Sequence, residues 1–156
     1  MNTIQQKQRD AEQKFKEFLD KQNVPYWYIQ QDIDTFSPAL KKLHVQRPDF
    51  FILIPNFGFI LIDVEHNTPL EKYNKFCVSD PETFRYNNLQ KYFNMQVWYA
   101  FSNETMHYTT WYFMPTSKVI ELRKQYLVKD KHYISLPIES FIQIANTEKI
   151  TKLFQV

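Results

Sequence analysis

One glycine and one cysteine in 156 residues remove several function classes at once. A lone glycine, Gly58, cannot build the Gly-rich loops that cradle phosphates in Walker-type and dinucleotide-binding proteins. A lone cysteine, Cys77, forms no intrachain disulfide and no multi-cysteine zinc site, and it suits a reducing compartment. No apolar run approaches the ~20 residues that cross a bilayer, and the stretch MNTIQQKQRDAEQKF has no apolar signal core; the expectation is a soluble, cytoplasmic protein with no membrane partner. A strong charge of one sign is missing too. The net charge of +2 and pI of 8.5 stay below the pI of ~9 typical of dedicated nucleic-acid-binding domains, so local clusters must supply any such contact. No internal repeat, low-complexity segment or nucleophile elbow is present.

What is there is apolar and aromatic: 44% hydrophobic residues, 17% of the chain being Phe, Trp or Tyr. That content and length predict one domain with a substantial core, spanning 1–156. Ala11, Phe15, Phe18 and Leu19 recur at helical spacing between Thr3 and Gln22. Tyr26 to Gln31 alternates as a strand, and Ser37-Pro38 opens a short helix. Two apolar runs flank Gly58 and read as a hairpin in the middle of a sheet. After a polar connection come a helix over Pro81 to Asn94, a strand in MQVWYAFS and a strand in YTTWYFMP. A helix over Ser117 to Gln125 and a last short helix in LPIESFIQIA complete the order αβ(α)ββαββαα. Strand, helix and returning strand imply an α/β fold with a mixed or parallel sheet.

The hairpin RPDFFILIPNFGFILIDVEHN ends in acids. Asp63 and Glu65, two apart on one strand, share a face. Asp49 joins them only through an odd loop or a bulge: a loop of Asn56, Phe57 and Gly58, with Gly58 left-handed, sets Asp49 opposite Glu65. A four-residue loop turns Asp49 away. Three converging carboxylates raise one another's pKa unless a cation sits between them. Oxygen ligands of this kind suit Mg²⁺, with Mn²⁺ as substitute, and such an ion supports phosphodiester hydrolysis. The plainer alternative is strand ends reaching solvent.

Pro48-Asp49, an apolar hairpin and Asp63-Val64-Glu65 resemble the core of the PD-(D/E)XK nuclease superfamily, which includes restriction endonucleases and Holliday junction resolvases. Glu12 on the first helix, and Gln90 on the helix before VWYAF, extend the resemblance over about residues 8 to 115. It implies a restriction endonuclease-like core of order αβββαβ, a central mixed sheet flanked by helices. It also implies metal-dependent cleavage of DNA, with Asp49, Asp63 and Glu65 as metal ligands and catalytic groups, Glu12 as accessory ligand and Gln90 orienting water or phosphate. Enzymes of this kind often dimerise, so a homodimer is compatible, and RNA is left open as a substrate. Position 65 departs from the pattern: the family's lysine is replaced by Glu65, which occurs in a minority of members. Lys72, Lys75 and Lys91 are the nearby lysines that can substitute. The alternative is a catalytically inactive nuclease-like domain that binds nucleic acid or a protein. Lys41, Lys42, His44 and Arg47 form a basic run ahead of Asp49, with Lys41, Lys42 and Arg47 as nucleic-acid contacts; Arg123, Lys124, Lys129 and Lys131 form a second. His66 is expected on the opposite face, away from the acids.

Overall fold

The computed structural model describes residues 3–29, 36–70 and 74–155. Lys72 and the distal part of the strand expected up to Gln31 lie outside them. Helix α1 (Ile4–Lys21) starts on Thr3, whose hydroxyl accepts from the Gln6 N–H at 3.1 Å, satisfying one of the first-turn donors that lack a helical partner. Strand β1 (Tyr26–Tyr28) and the short helix α2 (Pro38–Lys41), capped by Ser37, follow. The hairpin is β2 (Phe50–Ile54) and β3 (Gly58–His66). Next come β4 (Lys75–Ser79), α3 (Asp80–Phe93), β5 (Val97–Ser102), β6 (Thr110–Pro115) and α4 (Thr116–Tyr126). The chain continues through β7 (Leu127–Val128), β8 (Tyr133–Pro137), β9 (Ile142–Ala145) and a 3₁₀ turn over Ile150–Phe154.

Among the described residues, six strands form the central sheet in the order β1-β2-β3-β5-β6-β9. Of these, β3 and β5 run parallel and the other neighbouring pairs antiparallel. One face buries Phe50, Ile52, Ile60, Ile62, Val64, Trp98 and Phe113 against Ala11, Phe15, Phe18 and Leu19 of α1. The other buries Leu61, Val97, Tyr99, Phe101 and Met114 against α3, α4 and a second sheet of order β4-β8-β7. The result is the mixed sheet flanked by helices that the sequence implies.

Three local expectations change. The residues after β3 include strand β4, where Phe76 and Val78 point into the core and Cys77 between them is half-buried, a period of two inside an otherwise polar stretch. The expected last helix is instead the end of β8, one 3₁₀ turn at Ile138–Ser140 and β9. Leu136 and Pro137 are taken up by the β8 pairing with Phe76 and Lys75 of β4, and Ile142 and Ile144 alternate with exposed Gln143 as they pair with β6. The hairpin turn is Pro55-Asn56-Phe57, closed by the Phe57 N–H on the Ile54 carbonyl at 3.1 Å. Asn56 takes the left-handed position, with φ 65°, and Gly58, φ 123°, opens β3 opposite Ile54. Asparagine tolerates that conformation because its short side chain can bond locally.

Candidate active site

The turn remains three residues long, so parity is kept while the register moves by two. Leu53 pairs with Phe59 and Phe50 with Ile62; continuing outward places Asp49 beside Asp63, not Glu65, still on the same face. The Asp49 N–H donates to the Ile62 carbonyl at 3.1 Å, and Asp49 Oδ2 accepts from the Val64 N–H at 2.8 Å. Beyond the end of β2, the main chain of β3 is held from α1. The Gln8 carboxamide donates through Nε2 to the Val64 carbonyl and accepts at Oε1 from the His66 N–H at 3.1 Å. It thereby replaces a strand on either side of Glu65. The same Nε2 donates to Glu12 Oε2 at 3.2 Å, and the Tyr28 hydroxyl donates to Glu12 Oε1 at 2.6 Å.

Glu82, in the first turn of α3, adds an acid that the hairpin does not contain. Carboxylate oxygens of Asp63, Glu65 and Glu82 lie within 4.8 Å of one another. Burial pushes the Asp49 carboxyl up to about 7, with the Glu12 charge adding to the rise. Burial and the Glu82 charge push Glu65 up to about 8. Asp63 is raised well above the usual carboxylate range by burial and then by Asp49 and Glu65. Asp63 Oδ1 accepts from the buried Tyr86 hydroxyl at 2.6 Å, yet Oδ2 is buried with no hydrogen-bond partner among the described residues. A buried carboxylate oxygen is costly without a donor or a cation. An unsatisfied oxygen inside a set of crowded acids fits a divalent ion with oxygen ligands.

Asp49, Asp63, Glu65, Glu12 and Arg47 all line one open cleft of about 690 Å³. Gln90 does not join them. It sits at the end of α3, where Oε1 accepts from the Val97 N–H at 2.9 Å and ties the helix to β5. Lys41 and Lys42 are exposed and lie outside the cleft lining. No lysine among the described residues lines it: Lys75 rests over the Tyr126 ring at 5.3 Å, and Lys91 is exposed. His66 borders the cleft, and its ring reaches not the cleft acids but Glu104 at 2.9 Å, a carboxylate that Lys7 also holds at 3.0 Å.

Sequence reasoning missed Gln8, Arg9, Tyr28 and Glu82 in this lining, and Tyr86 beneath it. Only Glu82 left a signal. Ser79-Asp80-Pro81-Glu82 has the spacing of a capping box, and Ser79 Oγ does accept from the Glu82 N–H at 3.3 Å. The cap sets the start of α3 beside β3, and that placement brings the Glu82 side chain to the acids.

No protein-family profile matches the sequence, and no curated protein matches it at significant similarity. Solved structures do match. The Holliday junction resolvase Hjc of Archaeoglobus fulgidus superposes with a TM-score of 0.58 at 14% identity, over 89% of this chain and 98% of that one. The fold is nuclease-like. A fusellovirus nuclease gives a TM-score of 0.53 at 11% identity, over 98% of this chain and 91% of that one. A bacterial homing endonuclease gives 0.50 at 14% identity, over 96% and 80% respectively. Identities this low establish a shared architecture, and the residues of the cleft must carry the chemistry.

Proposed function

We propose that this chain is a metal-dependent nuclease that hydrolyses DNA phosphodiester bonds. The observation that carries the reading is the buried Asp63 Oδ2, which has no N–H or O–H donor among the described residues and faces neighbouring carboxyls, at the open end of β3 in a nuclease-like fold. Asp63, Glu65 and Glu82 would hold the ion, with Asp49 alongside; Mg²⁺ is the physiological choice and Mn²⁺ the substitute. When bound, such an ion polarises the phosphodiester and makes bound water a better nucleophile.

The remaining work falls to the chain's own groups. Asp49 spends one oxygen on the Val64 N–H, which keeps the β3 end in place. Gln8 holds the main chain on both sides of Glu65, so that side chain projects from a fixed strand. Glu65 cannot act as the cation that a lysine would be, and the cationic lining comes from Arg9 and Arg47, which supply phosphate contacts. Tyr86 fixes the orientation of the Asp63 carboxylate.

The test is cleavage of a DNA panel of single-stranded, duplex and branched substrates with Mg²⁺ or Mn²⁺. Metal-dependent products that disappear in Asp63→Asn and fall at least ~100-fold in Glu82→Gln support the reading. Binding without cleavage in any divalent metal would replace it with a nucleic-acid-binding domain that has lost catalysis.

A further inference from the structure

The sheet face that carries the acids also carries a row of aromatic rings that is exposed at both ends. Trp27, Phe51 and Phe59 come from three adjacent strands, β1, β2 and β3. Trp27 stacks on Phe51 at 5.4 Å and 12°, and Phe51 on Phe59 at 4.5 Å and 14°. Trp27 is 71% exposed and Phe59 49% exposed. With Pro25, Tyr26 and Leu53 they line a shallow groove that, among the described residues, contains no charged side chain. Large apolar rings left in water at this density mark a contact surface.

Two features choose the occupant. The first is area: with aromatic side chains presenting ~150–250 Å² each, the exposed parts of Trp27 and Phe59 amount to roughly 300 Å². A stable dimer buries ~800 Å² per partner, so the patch is too small for a second copy. The second is position. Trp27 pairs with Phe51, and Phe51 with Leu61, so the ladder shares its face with Asp49, two residues from Phe51, and with Asp63, four residues from Phe59 across the buried Leu61. Four residues along β3 span ~13 Å. A polynucleotide with a ~3.4 Å stacked rise covers that distance in about four nucleotides.

We propose that the Trp27–Phe51–Phe59 ladder is a stacking platform for unpaired bases of the strand that enters the acid cleft, which makes the substrate a DNA with a single-stranded stretch beside the scissile bond. This deepens the nuclease reading and rests on it. Phe51 lies stacked between its two neighbours, so bases would add to the outer faces of Trp27 and Phe59; bases of any identity present a π face, and such stacking is tolerant of sequence. The uncharged groove suits bases, while Arg9 and Arg47 in the cleft suit phosphates.

The experiment uses the full chain in EDTA, so that binding is measured without cleavage. Trp27 is the exposed tryptophan, whereas Trp98 and Trp111 are 5% and 1% exposed; the part of the emission that Trp27→Ala removes therefore reports the platform. Titration with a thymine oligonucleotide of ~10 nucleotides, within the site sizes of stacking proteins, is expected to quench that emission. A blunt duplex of equal length is expected to leave it unchanged. Fluorescence anisotropy of labelled oligonucleotide should show binding at least ~10-fold weaker in Trp27→Ala and in Phe59→Ala, two exposed positions whose loss leaves the core intact. Equal affinity of wild type and both variants would overturn the platform. So would a concentration-dependent dimer in sedimentation that Trp27→Ala abolishes. Quenching without cleavage in Mn²⁺ would sink the nuclease reading alone, and cleavage without quenching would sink this proposal alone.

Discussion

The Tyr86 hydroxyl donates to Asp63 Oδ1 at 2.6 Å, while Oδ2 of the same carboxylate is buried without a hydrogen-bond partner among the described residues. One oxygen is thus fixed from below by α3 and the other is left for whatever enters from the cleft. Tyr86→Phe removes the fixed contact and little volume. It should lower stability by about 1 kcal/mol, the scale of one buried hydrogen bond, and reduce metal-dependent cleavage by roughly tenfold. Denaturant midpoints and single-turnover rates measure the two effects separately. Unchanged cleavage would show that Asp63 needs no such orientation.

Glu82→Gln should move stability and metal affinity in opposite directions. Removing one charge from the set with Asp63 and Glu65 relieves repulsion in the metal-free protein, so its Tm should rise by a few degrees. The same change removes a ligand. At a concentration of ~100 times Kd, Mn²⁺ should stabilise the wild type by about 2.7 kcal/mol, and the variant should show less than half of that. A Tm response to Mn²⁺ equal to the wild type's would place the ion elsewhere.

The metal-free protein should lose stability as pH rises from about 4 to about 8. Asp49 is pushed up to about 7 and Glu65 to about 8, both above the ordinary carboxylate values of ~4. In that window the folded state holds protons that the unfolded chain has released, so raising pH favours unfolding. Divalent metal competes with those protons and should bind more tightly toward pH 8. Thermal melts at pH 5 and pH 8, with EDTA and with Mn²⁺, test both signs; a metal-free melt that rises with pH would contradict the burial of these acids.

Gln8→Ala should reduce cleavage ~10-fold or more by releasing the β3 main chain on either side of Glu65. Gln8→Glu keeps the shape but loses the N–H donor to the Val64 carbonyl, and should behave like alanine. Amide hydrogen exchange at His66 separates this effect from global unfolding, since its N–H is held by Gln8.

Gln90→Ala should leave metal affinity unchanged and cost about 1 kcal/mol of stability, because its carboxamide serves the Val97 N–H rather than the cleft. A loss of Mn²⁺ affinity measured by calorimetry would return it to the site.

How much of this was readable in the chain depends on the range of each interaction. The shared face of Asp63 and Glu65 follows from the period of a strand, and the convergence of Asp49 follows from the odd length of the turn. Both are local rules. The register was not readable to within two residues, because Asn56 and Gly58 can each supply a positive φ, and the structure uses Asn56 in the turn and Gly58 at the strand start. Strands β4 and β9 were hidden for a related reason: four or five residues with two buried positions resemble a loop or a helix end until a partner strand is present.

The sequence by itself determined the α/β architecture, the acid-tipped hairpin and the absence of a lysine at position 65, since these depend on composition, periodicity and residue identity. Only the tertiary structure decided which groups stand around the acids. Gln8 and Arg9 arrive on α1, and Glu82 and Tyr86 on α3. The direction each helix presents is set by how Phe15 and Leu19, or Leu89 and Tyr86, pack against the sheet. That packing is a sum over many distant contacts, which no local pattern encodes.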